Sequence, residues 1–397
     1  MSRIGDLINR LCPNGVKYKK LGDVVSVNRG SRLTKSQLSD DGIYEVYHGS
    51  KDVPLGKYNS YNTSGDTVIV VNTGGIGGVK YLENDFWCSD GSFNLGHNEL
   101  LNNKFLYHFL LQYEKFFLSK KRVGGVPTID RKIVEDVKIP IPPLEIQEEI
   151  VRILDKFEEL EAELEAELEA RREQYDFWRG KLFNISDAKE YKFDDISKII
   201  TKQTGFDYTN HIKSSLVVEK TDESIPYIQT KFFTGKNFNY NTDYYIPKKD
   251  AYKFNKILLN NKCILLSIVG ASIGNVGLFD GKTESFLGGA IGLVKLKDDI
   301  NIDYVYHYLQ SPYGQAQIKN NIKGSGQASL TIDSIRNFMI PIPSNDKQNK
   351  IVSILDKMET LVNDITVGIP AEIELRRKQY EYYRNKLLSF EELSVSE

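Results

Sequence analysis

Two long segments of the chain carry apolar residues at spacings of three and four, which is the pattern of a coiled-coil helix. The first follows Pro142-Pro143, and because proline cannot continue a helix interior, the helix should begin near Leu144. Its apolar positions are Ile150, Ile153, Phe157, Leu160, Leu164, Leu168, Tyr175, Trp178 and Leu182. We therefore predict one helix over 144–183, roughly 58 Å long at about 1.5 Å per residue.

The second segment, 344–390, has the same pattern with one interruption. Its apolar positions include Ile351, Ile354, Met358, Leu361, Ile373, Tyr380, Tyr383 and Leu387. Gly368-Ile369-Pro370 should kink or break the helix, since neither glycine nor proline suits a helix interior. A narrow apolar stripe does not stabilise a lone helix in water, so the two segments are expected to pair with each other.

The rest of the chain alternates short β-rich runs with turn residues. The run 67–71 precedes a glycine-rich loop at 72–78, and the run 263–269 precedes a comparable loop at 270–277. An aromatic, helix-like stretch and a basic loop follow in each region. We therefore predict one α+β domain over 1–143 and a second over 184–343.

The end of the first domain recurs at the end of the second. Ile139-Pro140-Ile141-Pro142 returns 201 residues later as Ile340-Pro341-Ile342-Pro343, and Ile153-Leu154-Asp155-Lys156 returns as Ile354-Leu355-Asp356-Lys357. A repeat of this length indicates a duplicated domain with its helix. If both helices leave their domains in the same sense, a pseudo-twofold axis makes them antiparallel. The predicted fold is α+β: two pseudo-symmetric globular domains separated by an antiparallel pair of long coiled-coil helices, with a tail at 391–397.

Composition adds a charge asymmetry to this picture. The 397 residues carry a net charge of −2, but 145–170 holds 11 acidic residues against Arg152 and Lys156, so the remainder carries +7. That basic remainder permits DNA binding. The three cysteines form no C-x-x-C pair, so we expect neither disulfides nor zinc. No apolar run reaches the length of a membrane span, and we predict a cytoplasmic protein.

No catalytic motif is evident in the sequence. The stretch Gly277–Thr283 is one residue short of a phosphate-binding loop, and the D/N-P-P-Y/F motif of adenine methyltransferases is absent. His108 and His307 occupy matching places in the aromatic stretches. No acidic or cysteine partner accompanies them at metal-ligand spacing, so we predict structural histidines and no metal site.

The doubled segment resembles the conserved regions of type I restriction–modification specificity subunits. Its motif is Ile139–Gln147 leading into Ile150–Asp155, and it occurs twice. Other stretches similar to family members are Leu7–Gly22, Tyr58–Asp90 and Pro226–Thr230. The resemblance covers essentially the whole chain. It departs from the repeat at Ser344-Asn345, where the first copy has Pro143-Leu144, and at Gly368–Pro370.

The resemblance implies a subunit without catalysis of its own. Target-recognition domains 1–143 and 184–343 would each recognise one half of an asymmetric, bipartite site in double-stranded DNA. The helices 144–183 and 344–390 would set the gap and dock two methyltransferase subunits, which methylate adenine at N6. Restriction subunits would complete the complex. No cofactor is expected in this chain, whereas AdoMet, ATP and Mg are expected on the partner subunits.

Basic and polar loop residues are the candidate DNA contacts, because Arg and Lys suit phosphate and guanine while Gln suits adenine. In the first domain they are Arg29, Ser31, Arg32, Lys51, Lys120, Lys121 and Arg122. In the second they are Lys202, Gln203, Tyr227, Gln229, Lys231, Ser272, Lys319, Lys323 and Gln327. For each single residue the alternative is a solvated surface side chain.

Aromatic and arginine residues near the end of each helix are candidates for partner binding, since Trp, Tyr and Arg favour interface hot spots. They are Arg171, Arg172, Tyr175, Trp178, Arg179, Arg376, Arg377, Tyr380, Tyr383 and Arg384. A second interpretation is equally open: the aromatic residues close the coiled coil within the chain.

The run Leu160–Ala170 repeats the tetrad L-E-A-E and consists of strong helix formers. We predict that it also acts as a ruler, because one tetrad adds about 6 Å of helix and rotates its far end by roughly 40°. Two other functions stay open. The chain could be a coiled-coil adaptor or anti-restriction scaffold that binds the partner subunits without recognising DNA. It could also be an enzyme with its own nuclease or transferase chemistry, although no site for either is evident.

Overall fold

The computed structural model describes residues 3–122, 125–185, 188–324, 328–364 and 366–393. The chain forms two compact units. Unit 1 comprises Met1–Ala166 and Glu372–Glu397, and unit 2 comprises Glu167–Ala371. Both boundaries between the units fall inside long helices, whereas the domain limits predicted from the sequence lie at helix ends and stay a prediction. Unit 1 thus combines the two ends of the chain.

Unit 1 begins with helix α1 (Arg3–Leu11) and strand β1 (Tyr18–Lys20). Its sheet strands are β2 (Val27–Arg29), β3 (Tyr44–Tyr47), β4 (Gly56–Tyr58), β5 (Thr67–Val71), β6 (Val79–Leu82), β7 (Trp87–Cys88) and β8 (Ser92–Leu95). There follow α2 (Asn103–Leu111), α3 (Glu114–Ser119), α4 (Arg131–Glu135), β9 (Lys138–Pro140) and α5 (Leu144–Leu182), which continues into unit 2.

The sheets of unit 1 contribute to a main apolar core and to a smaller one that includes Tyr47, Ile69 and Phe86. Strands β2-β8-β5-β6 form an antiparallel sheet, β4-β3-β7 form a second sheet in which β3 and β7 are parallel, and β1 pairs with β9. All five residues of β5 are buried, as its unbroken apolar sequence requires. Helix α2 is capped by Asn102, whose side chain accepts a hydrogen bond from the Phe105 amide. Phe105 and Leu106 then pack into the core.

Unit 2 has more strands than unit 1 and has helices of its own. Its strands are β10 (Lys189–Lys192), β11 (Ser197–Lys202), β12 (Ser224–Ile228), β13 (Phe233–Thr234), β14 (Asn237–Phe238), β15 (Tyr245–Pro247), β16 (Leu258–Leu259), β17 (Cys263–Ser267), β18 (Val276–Phe279), β19 (Ser285–Leu287), β20 (Ile291–Leu296), β21 (Ile322–Lys323), β22 (Ser329–Leu330) and β23 (Met339–Ile342). Its helices are α6 (Gly205–Asp207), α7 (Lys248–Ala251), α8 (Ile302–Gln310), α9 (Pro312–Asn321), α10 (Ile332–Arg336) and α11 (Asn345–Asn363), and α12 (Ile369–Leu387) starts here and continues into unit 1.

The topology of unit 2 repeats that of unit 1. The sheet β11-β20-β17-β18 corresponds to β2-β8-β5-β6, and the sheet β15-β12-β19-β16 contains a parallel pair, β12 and β19, like β3 and β7. Strands β10 and β23 pair as β1 and β9 do. Helix α8 takes the place of α2 and is also capped by asparagine, Asn301. The predicted fold class, α+β with a duplicated domain, is confirmed.

The long helices also agree with the prediction. Helix α5 is continuous over 39 residues. The second segment is broken where Gly368 was expected to break it: α11 ends at Asn363 and α12 begins at Ile369. A Cβ on Gly368 would lie 2.6 Å from the carbonyl oxygens of Thr360 and Asp364. The connection between the helices is therefore tight enough to require glycine.

Within unit 1, α5 and α12 run antiparallel. Arg377 binds Glu161 and Glu165, each at 2.6 Å, and the Tyr383 ring stacks on Phe157 at 5.4 Å between centroids. The partners move back along α5 as the chain advances along α12. Within unit 2, Tyr175 of α5 and Val362 of α11 belong to the same apolar core. Among the residues described, no helix is both long and apolar enough to cross a membrane.

Candidate nucleic-acid interface and helix junctions

The seven candidate residues of unit 1 lie on loops that are hydrogen-bonded to one another. Arg29 Nε donates to the Asp90 carbonyl at 3.0 Å, and the amides of Asn72 and Thr73 donate to Gly91. The glycine-rich loop therefore continues the surface that carries Arg29. Ser31 and Arg32, which follow Arg29 along the chain, are exposed. A Cβ on Gly30 would lie 2.3 Å from the Cys88 carbonyl oxygen, so this approach depends on glycine.

Lys51 and the basic loop after α3 join the same cluster. The Gly75 amide donates to Gly49, and Thr128 forms β-bridges with both Thr73 and Arg122. These backbone contacts bring the glycine-rich loop beside the two basic segments. Lys120 and Lys121 are exposed, whereas Lys51 binds Glu114 at 2.7 Å and Arg122 is paired with Asp130. In the basic loop after α3, Lys120 and Lys121 therefore form no ion pair with another described residue.

Unit 2 builds a comparable loop cluster. Val269 and Lys323 each form a β-bridge or ladder pair with Ser329, as Thr73 and Arg122 do with Thr128. Ser272 lies half-buried in the glycine-rich loop that follows Val269. Three candidate lysines are exposed: Lys323 in the cluster, Lys319 on α9 and Lys202 at the end of β11. Gln327 lies outside the described residues.

Two candidates of unit 2 are not surface residues, which corrects the expectation for them. Gln203 is 3% exposed and Tyr227 is 4% exposed. The Tyr227 hydroxyl donates to Gln203 Oε1 at 3.0 Å, because β12 is buried along its whole length and directs this side chain inward. Gln229 is half-buried just beyond that strand, and Lys231 is exposed but paired with Asp243. Gln203 and Tyr227 therefore belong to the interior of unit 2 and not to its surface.

The candidate partner-binding residues divide into exposed and packed side chains. Arg171 and Arg172 are exposed, and Trp178 is half-buried. Arg376 pairs with Glu372 on its own helix, while Arg377 is engaged with α5. Tyr175, which was expected to be exposed, is 5% exposed. Tyr175 and Tyr380 pack within the chain, as the second interpretation proposed, with Arg179 over Tyr175 and Arg384 over Tyr380. Tyr383 stacks on Phe157 but is 41% exposed.

His108 is the buried centre of a polar cluster in unit 1, whose carboxylates are partly exposed. Its side chain has no exposed surface, and its Nε2 donates to Asp155 Oδ1 at 2.9 Å. Its Nδ1 lies 2.9 Å from the Tyr380 hydroxyl, which also lies 3.2 Å from Glu158 Oε1. Lys104 binds Asp155 at 2.9 Å. We call these residues, with Tyr107 and Arg384, the first junction cluster, because they join α2, α5 and α12.

The second junction cluster has the same composition in unit 2. His307 is also without exposed surface, and its Nε2 donates to Asp356 at 2.7 Å. Tyr306 donates to Glu359 at 2.7 Å, as Tyr107 does to Glu158 at 3.2 Å. Lys236 pairs with Asp356 and with Glu359. The other members are Tyr175 and Arg179.

One aspartate in each cluster, Asp155 or Asp356, is kept ionised by its neighbours. Burial alone would raise the pKa of Asp356, but hydrogen bonds from His307 and Lys236 outweigh it and lower the pKa to about 2. The pKa of Asp155 is lowered in the same way by His108 and Lys104 against the effect of burial. Burial beside Glu359 and Glu158 raises the pKa of the Tyr306 and Tyr380 hydroxyls, so both remain protonated donors.

Each cluster brings one histidine and two carboxylates close enough to hold a metal ion. The positive charge is supplied instead by lysine: Lys104 in the first cluster and Lys236 in the second. The sequence shows no acidic group at metal-ligand spacing from the histidines, and the aspartates that bind them lie 47 and 49 residues further along the chain. The signal was present in the repeat, since Asp155 and Glu158 recur there as Asp356 and Glu359.

A family model for the type I restriction modification DNA specificity domain matches residues 13–170 and 185–375. The chain belongs to the family of type I restriction–modification specificity subunits. It is 31% identical to a putative type I restriction enzyme specificity subunit of Haemophilus influenzae, over 94% of this chain and 96% of that protein. It is 28% identical to a putative type I specificity subunit of Mycoplasma pneumoniae, over 94% and 98%.

Two solved structures share the fold of this specificity subunit. The S subunit of a type I restriction–modification system from M. genitalium superposes with a TM-score of 0.58 at 17% identity, over 94% of this chain and 96% of that one. A chain solved in work on complex assembly of the type I R-M system gives 0.57 at 16% identity, over 95% and 98%. At these identities the likeness concerns the fold alone.

Proposed function

We propose that this chain is the DNA-recognition subunit of a type I restriction–modification complex and has no catalysis of its own. Each recognition domain contacts one half of a bipartite, asymmetric site in double-stranded DNA. The observation that carries the proposal is the duplication. Two domains of the same topology are each followed by a copy of the repeated helix, yet their loop clusters carry different residues. One chain with two unlike domains suits a site that is not palindromic, as a symmetric dimer suits a palindrome.

The loop clusters support DNA contact in chemical terms. The candidate lysines that are exposed lie on or next to the glycine-rich loops. They are Lys120 and Lys121 in unit 1 and Lys202, Lys319 and Lys323 in unit 2. Lysines bind phosphates without regard to sequence, whereas the neighbouring polar side chains can bind base edges. Arg29, Ser31, Arg32, Gln229 and Ser272 stay proposed base or phosphate contacts on this basis.

The long helices are proposed to set the gap between the half-sites and to dock two methyltransferase subunits. Exposed Arg171 and Arg172 and half-buried Trp178 provide the side-chain types that favour interfaces. Restriction subunits complete the complex, and AdoMet, ATP and Mg belong to the partner subunits. A relationship to proteins named as specificity subunits supports this assignment.

Methylation mapping tests the proposal. A bacterial host that expresses this chain with the methyltransferase subunit of its own system should acquire N6-methyladenine at one motif with two unlike halves and a fixed gap. Purified chain without partners should neither methylate nor cleave DNA. A host without new methylation, together with a complex that assembles but shows no sequence preference in DNA binding, would favour the adaptor function instead. Methylation by the purified chain alone would favour an enzyme.

A further inference from the structure

The two junction clusters join the same three kinds of element in each unit. In unit 1, His108 is on α2 of the recognition domain, Asp155 and Glu158 are on the helix that leaves the domain, and Tyr380 is on the helix that returns to it. In unit 2 the same places are taken by α8, by α11 and by Tyr175 of α5. The arrangement therefore recurs although its members come from different parts of the sequence.

The hydrogen bonds of such a polar cluster constrain the orientation of one helix on another more than an apolar contact does. Apolar side chains tolerate small rotations of one helix on another, but a hydrogen bond weakens steeply when its length or angle changes. His108 bonds Asp155 with one ring nitrogen and contacts Tyr380 with the other, so its ring is fixed between α5 and α12. Such groups contribute specificity of arrangement more than net stability.

The two clusters differ at the histidine Nδ1 and in the second partner of the lysine, which is Glu83 for Lys104 and Glu359 for Lys236. In unit 1 the Tyr380 hydroxyl connects His108 Nδ1 with Glu158. In unit 2, His307 Nδ1 is buried and has no hydrogen-bond partner among the residues that the structure describes. A cavity of about 410 Å³ lies beside this second cluster, lined by Tyr175, Arg179, Lys236, Tyr306, Asp356 and Glu359. The connection through tyrosine is therefore complete only in unit 1.

We propose that the junction clusters are positioning sites that fix the orientation of each recognition domain on its helices, and that Tyr380 makes the first of them the more constrained. The proposal rests on the proposed function, since an orientation matters when two half-sites must be met at one gap. The cluster residues are positioning residues, which affect DNA recognition without contacting DNA in this proposal. They act through α2 and α8, on which the recognition domains are built.

The test measures preference for gap length. The complex is reconstituted with its methyltransferase subunit, and initial methylation rates are compared on DNA with the cognate gap and with gaps one base pair shorter and longer. Tyr380→Phe should reduce the preference for the cognate gap by about fivefold, the equilibrium equivalent of one net hydrogen bond. Tyr107→Phe, which removes another bond to Glu158, should act in the same direction. Tyr175→Phe should have a smaller effect than Tyr380→Phe.

Tyr308→Phe is the control, because Tyr308 is a buried tyrosine of α8 that donates to the Met339 carbonyl outside either cluster. Its gap preference should equal that of the original chain, and thermal unfolding is recorded for every variant. If Tyr380→Phe and Tyr107→Phe lower methylation by the same factor at every gap, the clusters are merely stabilising and the proposal is overturned. If the original complex shows no bipartite motif at all, the proposed function has failed, which is a different result.

Discussion

At the scale of single residues, the candidate site combines contacts that the sequence could suggest with contacts that only the fold reveals. Lys120 and Lys121 were predictable as exposed basic residues in a loop. The burial of Gln203 and Tyr227 was not predictable, because it depends on strands that lie far away in the sequence. The acidic partners of His108 and His307 were hidden for the same reason.

Lys120 and Lys121 of unit 1 should contribute to DNA affinity without changing sequence preference. Replacing Lys120 and Lys121 by alanine should weaken binding by similar factors on cognate and unrelated DNA, and reduce the slope of log affinity against log salt by about one per lysine. Fluorescence anisotropy of the assembled complex over a range of salt concentrations measures both. Lys378→Ala is the control, since Lys378 binds Glu374 on α12. An unchanged salt slope would place DNA elsewhere.

Asp356 predicts a pH dependence of stability. Its pKa of about 2 in the folded protein lies below the usual 3.8, so the carboxylate stabilises unit 2 above pH ~4 and loses that effect as the pH falls towards 2. Asp356→Asn should therefore unfold at a lower temperature than the original chain at pH 7, and the difference should narrow below pH ~4. Differential scanning fluorimetry at several pH values measures it. Equal differences at pH 7 and pH 3 would contradict the assignment.

At the scale of elements, the helices were the most predictable part of the molecule. The three-and-four spacing and Pro142-Pro143 predict α5 with its start at Leu144, and Gly368-Ile369-Pro370 predicts the break between α11 and α12. Strand pairing was less accessible. The parallel pairs β3 with β7 and β12 with β19 join segments about 40 and 60 residues apart, and no local pattern specifies such pairs.

Gly368, between α11 and α12, and Gly180, inside α5, should respond oppositely to substitution by alanine. Gly368→Ala places a Cβ against three backbone carbonyls and should destabilise unit 2 by about 1 kcal/mol or more. Gly180→Ala, inside α5, meets only Pro312 at 3.7 Å and should stabilise by about 0.5–1 kcal/mol. Urea unfolding of the two variants gives both signs. Stabilisation by Gly368→Ala would show that the interhelical connection is looser than described.

The tetrad run of α5 should control the gap. Inserting one L-E-A-E tetrad in Leu160–Ala170 lengthens the helix by about 6 Å and turns its far end by roughly 40°. We expect methylation at the same two half-site sequences with a different gap between them. The insertion also displaces Glu161 or Glu165 from Arg377, so the assembled complex should be checked for stability. Methylation sequencing that finds new half-site letters at the old gap would refute the ruler.

At the scale of the whole molecule, the sequence predicted the duplication but not how the chain divides. The repeated motif showed two domains, each followed by a helix. It did not show that unit 1 includes residues from both ends of the chain, with Leu388 in its core and a β-bridge between Val16 and Glu392. Tertiary packing determines that division, because α5 and α12 each contribute to both units.

The central claim is that two independent domains each recognise one half-site, and exchanging one domain tests it most directly. Residues 184–343 are replaced by the equivalent segment of the Haemophilus influenzae relative, which aligns over 94% of this chain. The hybrid is expressed with the methyltransferase subunit of this system, and its methylated motif is sequenced. We predict the original first half-site and gap with a new second half-site. Change in both half-sites, or loss of the bipartite form, would contradict the account.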